Sequence, residues 1–523
     1  MPRVRIDNKT VDVPEGTTIL QAARQAGIDI PALCWLAGWQ ACTSCFVCVV
    51  RVDGQERLLP SCATAVGDGM VVESESDEVR SARRTALELL LSDHLGDCLA
   101  PCQVTCPAGM NIPRMIRRIA AGDLAGAIET VKADIALPAV LGRICPAPCE
   151  RACRRAGHDA ALAICLLKRY AADVDLASPR PYRPEKKPDS GKGVAIVGAG
   201  PAGLAAAYYL LQQGHACTLF DQHDAPGGAL RYALSEDRLP RAVLEAEIAR
   251  VAELGARFRL STRVGREPSL GQLRGDFSAV VIATGPAGAG QGDELQLPVG
   301  EHGLHVERRT HQTPIEGVFA GGGAVRASNL AVRAVADGKG IACAVNQYLS
   351  AQPVTGPGRP FTVHIGRLHD GEMKLFLASA SPRGRVAPTG PAGGLAAAEA
   401  TAEARRCLHC DCRSADHCKL RRYADAYAAN ATMLRDHRRS FEQLEHPQVL
   451  YEPGKCIDCG LCVQITEQAQ EPLGLTFIGR GFQVRVGVPL GRSLSEAFQQ
   501  TAARCAEACP TGAIVLKDAP PEE

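Results

Sequence analysis

The sequence predicts a multidomain chain, α/β in its middle and α+β towards its ends, on three observations. Most of its 23 cysteines fall in groups a few residues apart, marking several small ligand-bearing segments. A glycine fingerprint, Gly198-x-Gly200-x-x-Gly203, stands between an apolar strand and an apolar helix. Two Pro-rich passages, Ser178–Lys192 and roughly 352–394, interrupt the regular patterns.

At 523 residues the chain has room for about three to five domains. A formal net charge of +1 and 4% aromatic residues argue against a nucleic-acid surface. The start, MPRVRIDNKTVDV, alternates like a strand and has no apolar core of signal-peptide length. No stretch approaches bilayer-crossing length, so direct membrane insertion is not expected. Thiols grouped this closely suit metal or cluster ligation better than a disulfide framework, and a cytoplasmic location follows as the expectation.

Residues 1–80 read as a small β-rich domain. A strand pair around Val4–Ile6 and Val11–Val13 precedes a helix from Thr18 to Ala26, and CVVRVDG is a strand closed by the Asp53-Gly54 turn. Residues 81–177 turn helical, through ARRTALELLLSDH and then PRMIRRIAAGDLAGAIETV, opened by Pro113 at a first helical position. Strand and helix alternate over 193–350. A helical cysteine motif occupies 400–445, and 446–523 holds the last cysteine sets.

Cys34, Cys45, Cys48 and Cys62 have the spacing C-x10-C-x2-C-x13-C, too long in its first gap for a zinc finger. With LLPSCATAVGDGMVV around the fourth cysteine, this segment resembles the N-terminal domain of the large iron–sulfur subunit of respiratory complex I. The resemblance implies a β-grasp ferredoxin fold holding one 2Fe-2S cluster on four thiolates. Cys42 is an extra thiol at permissible spacing.

His94-x3-Cys98 resembles the His-plus-cysteines cluster of the same subunit. The continuation, Cys98-x3-Cys102-x3-Cys106-Pro107 and GRICPAPCERAC, is similar instead to the N-terminal domain of the glutamate synthase small subunit and of dihydropyrimidine dehydrogenase. That resemblance implies a helical domain with two 4Fe-4S clusters, one on His94, Cys98, Cys102 and Cys153, the other on Cys106, Cys145, Cys149 and a ligand from the following helix. In the relatives the last ligand is Gln or Glu near Lys168 and Arg169. Cys165, one turn earlier on nearly the same face, takes its place here. A structural helix-end histidine is the alternative reading of His94; as a ligand it would raise the cluster's potential.

VAIVGAGPAGLAAAYYLLQQG orders strand, glycine turn and helix for a dinucleotide. Gly198 makes the turn, Gly200 admits a pyrophosphate, Gly203 lets helix meet strand, and Pro201 and Ala202 open the helix whose N-terminus faces the phosphates. Asp221 closes the next strand, where an acid contacts the adenosine ribose. Gly228 and Arg231 in PGGALRYALSEDRLP, Thr284 and Gly285 in VVIATG, and Gly322 and Gly323 in GVFAGGGAV complete a resemblance to the FAD domain of the glutamate synthase small subunit. FAD in a Rossmann-like domain is the implication, with a Rossmann fold lacking its cofactor as the alternative. Gly323 stands where that family has Asp. The interval Gly285–Gly317 is about one βαβ unit long, and no helix pattern follows GPAGAG within it. The chain is therefore expected to lack the second Rossmann unit that serves NAD(P)H in two-nucleotide flavoproteins.

Cys407, Cys410, Cys412 and Cys418 suit one 4Fe-4S cluster or one zinc; His409 and His417 are possible alternates. Cys456, Cys459 and Cys462 with Cys509-Pro510 look like a bacterial ferredoxin half-site and imply a C-terminal ferredoxin-like 4Fe-4S domain. Thr466 stands where a two-cluster ferredoxin has cysteine. Cys42, Cys217, Cys343 and Cys505 are left as ordinary small residues. The expected cofactors are thus FAD, one 2Fe-2S and three to four 4Fe-4S clusters.

No nucleophile, acid–base pair or pterin domain is visible. The resemblances imply an electron-transfer subunit whose partners carry the substrate site, of the molybdopterin formate dehydrogenase, hydrogenase or NADH dehydrogenase kind. A free-standing NAD(P)H-dependent reductase like the glutamate synthase small subunit and a cluster-bearing scaffold are the alternatives.

Overall fold

The computed structural model describes residues 1–265, 267–286, 291–327, 330–435 and 438–517. The chain divides into two compact units. The first comprises Met1–Leu99, Pro360–Ser379 and His409–Glu523; the second comprises Ala100–Arg359 and Ala380–Leu408.

In the first unit, five short strands form a mixed sheet in the order Lys9–Asp12, Arg3–Ile6, Met70–Glu73, Val49–Val52 and Leu59–Pro60. Arg3–Ile6 runs parallel to Met70–Glu73, with Val4 opposite Met70 and Ile6 opposite Val72. Alternation decides the faces: Val4 and Ile6 point into a core with Ile19, Leu20, Val50 and Val72, while Arg3 and Arg5 face solvent. The helix Ile19–Gln25 starts at Thr18 through a reciprocal cap with Gln21.

The helix expected from Ser81 starts earlier and spans Asp77–Ser92, because Asp77 and Glu78 favour a helix N-terminus. Arg83 on this helix is fully buried. Its guanidinium donates to the Val49 carbonyl at 2.9 and 3.2 Å, to the Tyr427 hydroxyl at 2.7 Å and to Glu75 at 2.8 Å. One side chain thereby joins a sheet strand to the end of the helix Lys419–Ala426. Further along, Val449–Tyr451 pairs antiparallel with Ile514–Leu516, holding together the two ends of the segment that carries Cys456–Cys509.

The second unit begins as a set of short helices: Pro101–Thr105, Ile112–Ala120, Leu124–Lys132, Pro138–Ile144, Pro148–Arg151 and Ile164–Ala177. The helical stretch read from Pro113 to Val131 breaks in two at Gly122, whose φ is +79°, and Asp123 caps the second piece by accepting from Gly126 N–H at 2.8 Å. Pro138–Ile144 packs closely on Ile164–Ala177 through Gly142, where an added Cβ would lie 2.6 Å from the Arg169 Cβ. That contact brings Cys145 to Cys165.

A five-stranded parallel sheet follows, in the order Val318–Ala320, Ala279–Ile282, Gly193–Val197, Ala216–Phe220 and Arg257–Arg259. Its central strands are fully apolar, as burial on both faces requires. The helices Pro201–Gln212 and Ala331–Leu349 pack together on one face, meeting at Gly338, where a Cβ would lie 2.3 Å from the Ala202 carbonyl oxygen. Between Gly285 and Gly317 lie the short helix Gln291–Leu295 and the hairpin of Val299–Gly300 with Gly303–Leu304. The expectation that no helix follows GPAGAG is thus corrected: a single turn is too short to print a 3.6-residue pattern. Residues 287–290 of that passage lie outside the described residues.

Replacing Arg83 by Met removes the donors for the Val49 carbonyl and the Tyr427 hydroxyl. It is expected to lower stability by about 3 kcal/mol, read as a fall in the thermal unfolding midpoint.

Candidate functional site

Four thiols of the first unit surround one point of the β-rich segment. Cys34 and Cys45 lie Sγ to Sγ at 3.4 Å, and all of Cys34, Cys45, Cys48 and Cys62 are buried. Their thiols hydrogen-bond one another, so Cys34 is held far below the usual thiol range while burial and its neighbours push Cys45 and Cys62 up. The four sulfurs thus share a proton-linked network in which Cys34 and Cys48 hold the charge, an arrangement suited to giving sulfur ligands. Cys42 stands apart, its sulfur accepting from the Gln464 amide at 3.2 Å.

A second hollow in this unit is lined by Cys456, Cys459, Cys462 and Cys509, with Tyr451 and Cys505 closing its wall. The loop holding the first three cysteines turns at Asp458 and Gly460, both at positive φ, before the helix Leu461–Gln468. Asp458 N–H donates to the Cys456 sulfur at 3.4 Å. Thr466 is spent locally, donating to the Val463 carbonyl at 2.9 Å. Cys505, read from sequence as a spare, is a fifth thiol at this wall.

In the second unit Cys106, Cys145, Cys149 and Cys165 line a closed hollow with Lys168. The Cys165 sulfur also lies 3.4 Å from the Leu141 carbonyl oxygen. Hydrogen bonding from Cys165 lowers Cys145 to about 6, and burial pushes Cys149 up to about 12. Lys168 is buried; desolvation pulls its ammonium down, but attraction to the surrounding thiolates outweighs it and the net shift is upward. Sequence reasoning set Lys168 aside as a poor ligand and missed it as a counter-charge. The signal was its place three residues after Cys165 on one helix face.

The remaining predicted ligands fall on both sides of the division. His94, Cys98, Cys410, Cys412 and Cys418 belong to the first unit; Cys102, Cys153 and Cys407 belong to the second. Among the described residues no three His, Cys, Asp or Glu side chains converge as tightly as a single ion requires.

At the glycine fingerprint, Gly198 has φ +108° and a Cβ there would meet the Ala283 carbonyl oxygen at 2.3 Å; one on Gly203 would meet the Gly198 oxygen at 2.0 Å. Gly200 and Gly228 bring their Cα atoms into contact, and a Cβ on Gly228 would lie 2.8 Å from the Gly200 Cα. Pro201 and Ala202 form the first turn of the helix. Asp221 is engaged: it accepts from Ala199 N–H at 2.7 Å and pairs with the His223 ring at 2.7 Å. His223 in turn stacks on Tyr232, with ring centroids 4.3 Å apart, a rim feature that the sequence did not suggest. Arg231 donates to the Pro226 carbonyl at 2.8 Å. Gly322, at φ +64°, donates from N–H to the Asp337 carboxylate at 3.1 Å, and a Cβ on Gly323 would meet Pro286 N at 2.9 Å. Beside Gly285, the Thr284 hydroxyl is buried with no hydrogen-bond partner among the described residues. An orphaned hydroxyl next to a backbone cradle fits a dinucleotide that would supply the missing partner.

Comparison with known families fits these segments. Residues 2–77 match the family described as a 2Fe-2S iron-sulfur cluster binding domain, 93–179 match dihydropyrimidine dehydrogenase domain II, 4Fe-4S cluster, and 196–257 match an NAD(P)-binding Rossmann-like domain. The chain is 40% identical over 207 residues to the NADP(+)-dependent formate dehydrogenase subunit beta of Moorella thermoacetica, covering 36% of this chain and 29% of that protein. It is 39% identical over 211 residues to the NAD-dependent dihydropyrimidine dehydrogenase subunit PreT of Salmonella typhimurium, covering 40% and 49%. It is 38% identical over 188 residues to the NADPH-Fe(3+) oxidoreductase subunit beta of Geobacter sulfurreducens, covering 36% and 28%. The chain thus spans less than half the length of each of these relatives.

The chain therefore carries a 2Fe-2S domain, a 4Fe-4S domain and a Rossmann-like NAD(P)-binding domain. The last overturns the expectation that a Rossmann domain for NAD(P)H is missing. That expectation came from measuring the Gly285–Gly317 interval for a second unit. The match falls on residues 196–257, whose strand–glycine turn–helix geometry serves either dinucleotide. Among the described residues, no helix is long and apolar enough to cross a membrane.

Glu247 supports the Cys145 region by accepting from Ala139 and Val140 N–H at 3.0 and 2.9 Å, at the start of Pro138–Ile144. Burial raises its pKa from 4.5 to about 7. The folded state thus holds this proton more tightly than the unfolded chain. The resulting stabilisation is full below 4.5 and is lost as pH rises towards 7. Glu247→Gln is expected to flatten the stability profile across that window, measured by denaturant unfolding at stepped pH.

Proposed function

We propose that the chain is an iron–sulfur flavoprotein electron-transfer subunit of a multisubunit cytoplasmic oxidoreductase. In this reading FAD occupies the cradle of Gly198, Gly200, Gly203, Gly228 and Thr284, and electrons pass between it, a 2Fe-2S cluster and several 4Fe-4S clusters. The observation that carries it is the coexistence, on one chain, of separate buried thiol groups with a dinucleotide cradle holding an unpaired hydroxyl. A flavin supplies two-electron chemistry and clusters supply one-electron steps. The chain's own residues exclude water from the thiols, set their charge and hold the phosphates at a helix N-terminus.

Cys34, Cys45, Cys48 and Cys62 would hold the 2Fe-2S centre. Cys106, Cys145, Cys149 and Cys165 would hold one 4Fe-4S centre, and Cys456, Cys459, Cys462 and Cys509 another in a ferredoxin-like C-terminal segment. The partner would bear the substrate site, in a molybdopterin, NiFe or NADH module; the relatives' names, two of them beta subunits, support a role within a complex. A second reading, a stand-alone NAD(P)H-dependent reductase, is favoured by the match at residues 196–257 and by the nicotinamide cofactors in those names.

Anaerobic protein treated with dithionite, NADH or NADPH separates the two. Bleaching of flavin and clusters by dithionite alone supports the relay subunit; rapid bleaching by NADPH or NADH supports the reductase. Colourless protein, or zinc in place of iron, overturns both. Lys168→Met removes a buried positive charge from the Cys106–Cys165 centre and is expected to lower its midpoint potential, read by redox titration under spin resonance.

A further inference from the structure

Cys98, Cys412 and Cys418 come from segments far apart in sequence, yet the first unit brings them together. The Cys412 N–H donates to the Cys98 carbonyl at 3.4 Å, and the Cys98 N–H to the Val363 carbonyl at 3.3 Å. The three thiols are buried and close enough for Cys418 to feel the charge of both others. The Cys418 sulfur accepts from Arg421 N–H at 3.4 Å, at the start of the helix Lys419–Ala426. The N–H donor at the helix start favours a thiolate, but burial outweighs it and pushes the Cys418 thiol up to about 12.

The walls are built to the same point. Gly512 packs so closely on Cys412 that a Cβ there would lie 2.4 Å from the sulfur. Gly96 leaves room for Lys455, whose Cε would meet a Cβ at 2.8 Å. The Lys455 ammonium is buried, pairs with Glu452 and is attracted by Cys412. Leu95 N–H donates to the Gly454 carbonyl at 2.6 Å and Lys419 N–H to the Pro510 carbonyl at 2.9 Å, stitching the loops together. Within the reach of Lys455 is also His94, buried to 7% exposure, whose Nδ1 has no hydrogen-bond partner among the described residues. A buried imidazole nitrogen left unpaired four residues before Cys98 has a lone pair to give a metal.

We propose that Cys98, Cys412 and Cys418 hold a 4Fe-4S cluster within the first unit, with His94 at its fourth corner. Cys407 and Cys410 are then not ligands of this centre, and Cys98 does not share one with Cys102 and Cys153. The site rests on reading the chain as an iron–sulfur protein. Its neighbours are two further thiol groups: one apolar cluster contains Cys34, Cys45, Cys98, Cys418 and Cys459. Electrons reaching the 2Fe-2S segment would thus have a third centre within the same unit.

The test uses the full chain, reconstituted anaerobically with iron and sulfide. Cys98→Ser, Cys418→Ser and the double variant should each lose one cluster's worth of iron and the same spin-resonance signal, the double variant losing no more than either single. Separate signals lost by the two single variants, or additive iron loss, overturn the grouping while leaving the relay reading intact. Should the cysteine variants fail to fold, His94→Ala and His94→Cys decide. Pulsed spin resonance should detect nitrogen coupling in the wild type that both variants lose and Cys102→Ser keeps. No nitrogen coupling in the wild type, or its loss in Cys102→Ser, overturns the assignment. Wild-type protein without any iron would sink both this site and the reading on which it rests.

Discussion

Burying many thiols in one polypeptide is the constraint on which the rest of this structure turns. A thiolate in a low-dielectric interior is costly unless positive charge or N–H donors meet it. The chain answers with two buried lysines, Lys168 against Cys106, Cys145, Cys149 and Cys165, and Lys455 against Cys412. Each ammonium would itself be expensive to bury alone, and in each case attraction outweighs desolvation. Lys168 meets only thiols among its attracting groups, whereas Lys455 is also held by the buried Glu452 carboxylate.

The dinucleotide cradle obeys a steric constraint instead. Gly198, Gly203 and Gly338 stand where any side chain would strike backbone, so strand, turn and two helices can meet closely. The same closeness puts Gly322 and Gly323 against the first turn of the helix Pro201–Gln212 and against Pro286. Asp337, from the following helix, accepts from the Gly322 N–H and fixes that turn. Asp221 is tied to the glycine turn, so it braces the cradle from behind.

How much of this could be read in the sequence depends on the range of the interaction. The glycine fingerprint, the strands around Val4 and Val194 and the helix beginning at Thr18 are local patterns, and they were legible. The approach of Cys165 to Cys145 followed from the resemblance to the relatives' second cluster, with helix spacing only carrying the ligand position one turn back to Cys165. The break at Gly122–Asp123 was available in the residues but hidden by the apolar periodicity on either side. The approach of Cys412 to Cys98 had no local signature, since sequence spacing ranks near neighbours first and tertiary folding does not. Lys168 was weighed only as a ligand and Lys455 not at all, because a lysine is normally solvated and its role here is that of a buried counter-charge. The reading of a missing nicotinamide domain failed for a related reason: one glycine turn serves two kinds of nucleotide, and length counting cannot tell which.

The first unit is discontinuous: the polypeptide leaves it at Leu99, builds the second unit, comes back for Pro360–Ser379, and returns finally at His409. During synthesis, therefore, Arg83 emerges long before Tyr427, and Cys98 long before Cys412. The nascent amino-terminal segment must wait on the ribosome with a guanidinium and several thiols not yet enclosed. The contacts that close this unit can therefore form only once its last segment has been synthesised.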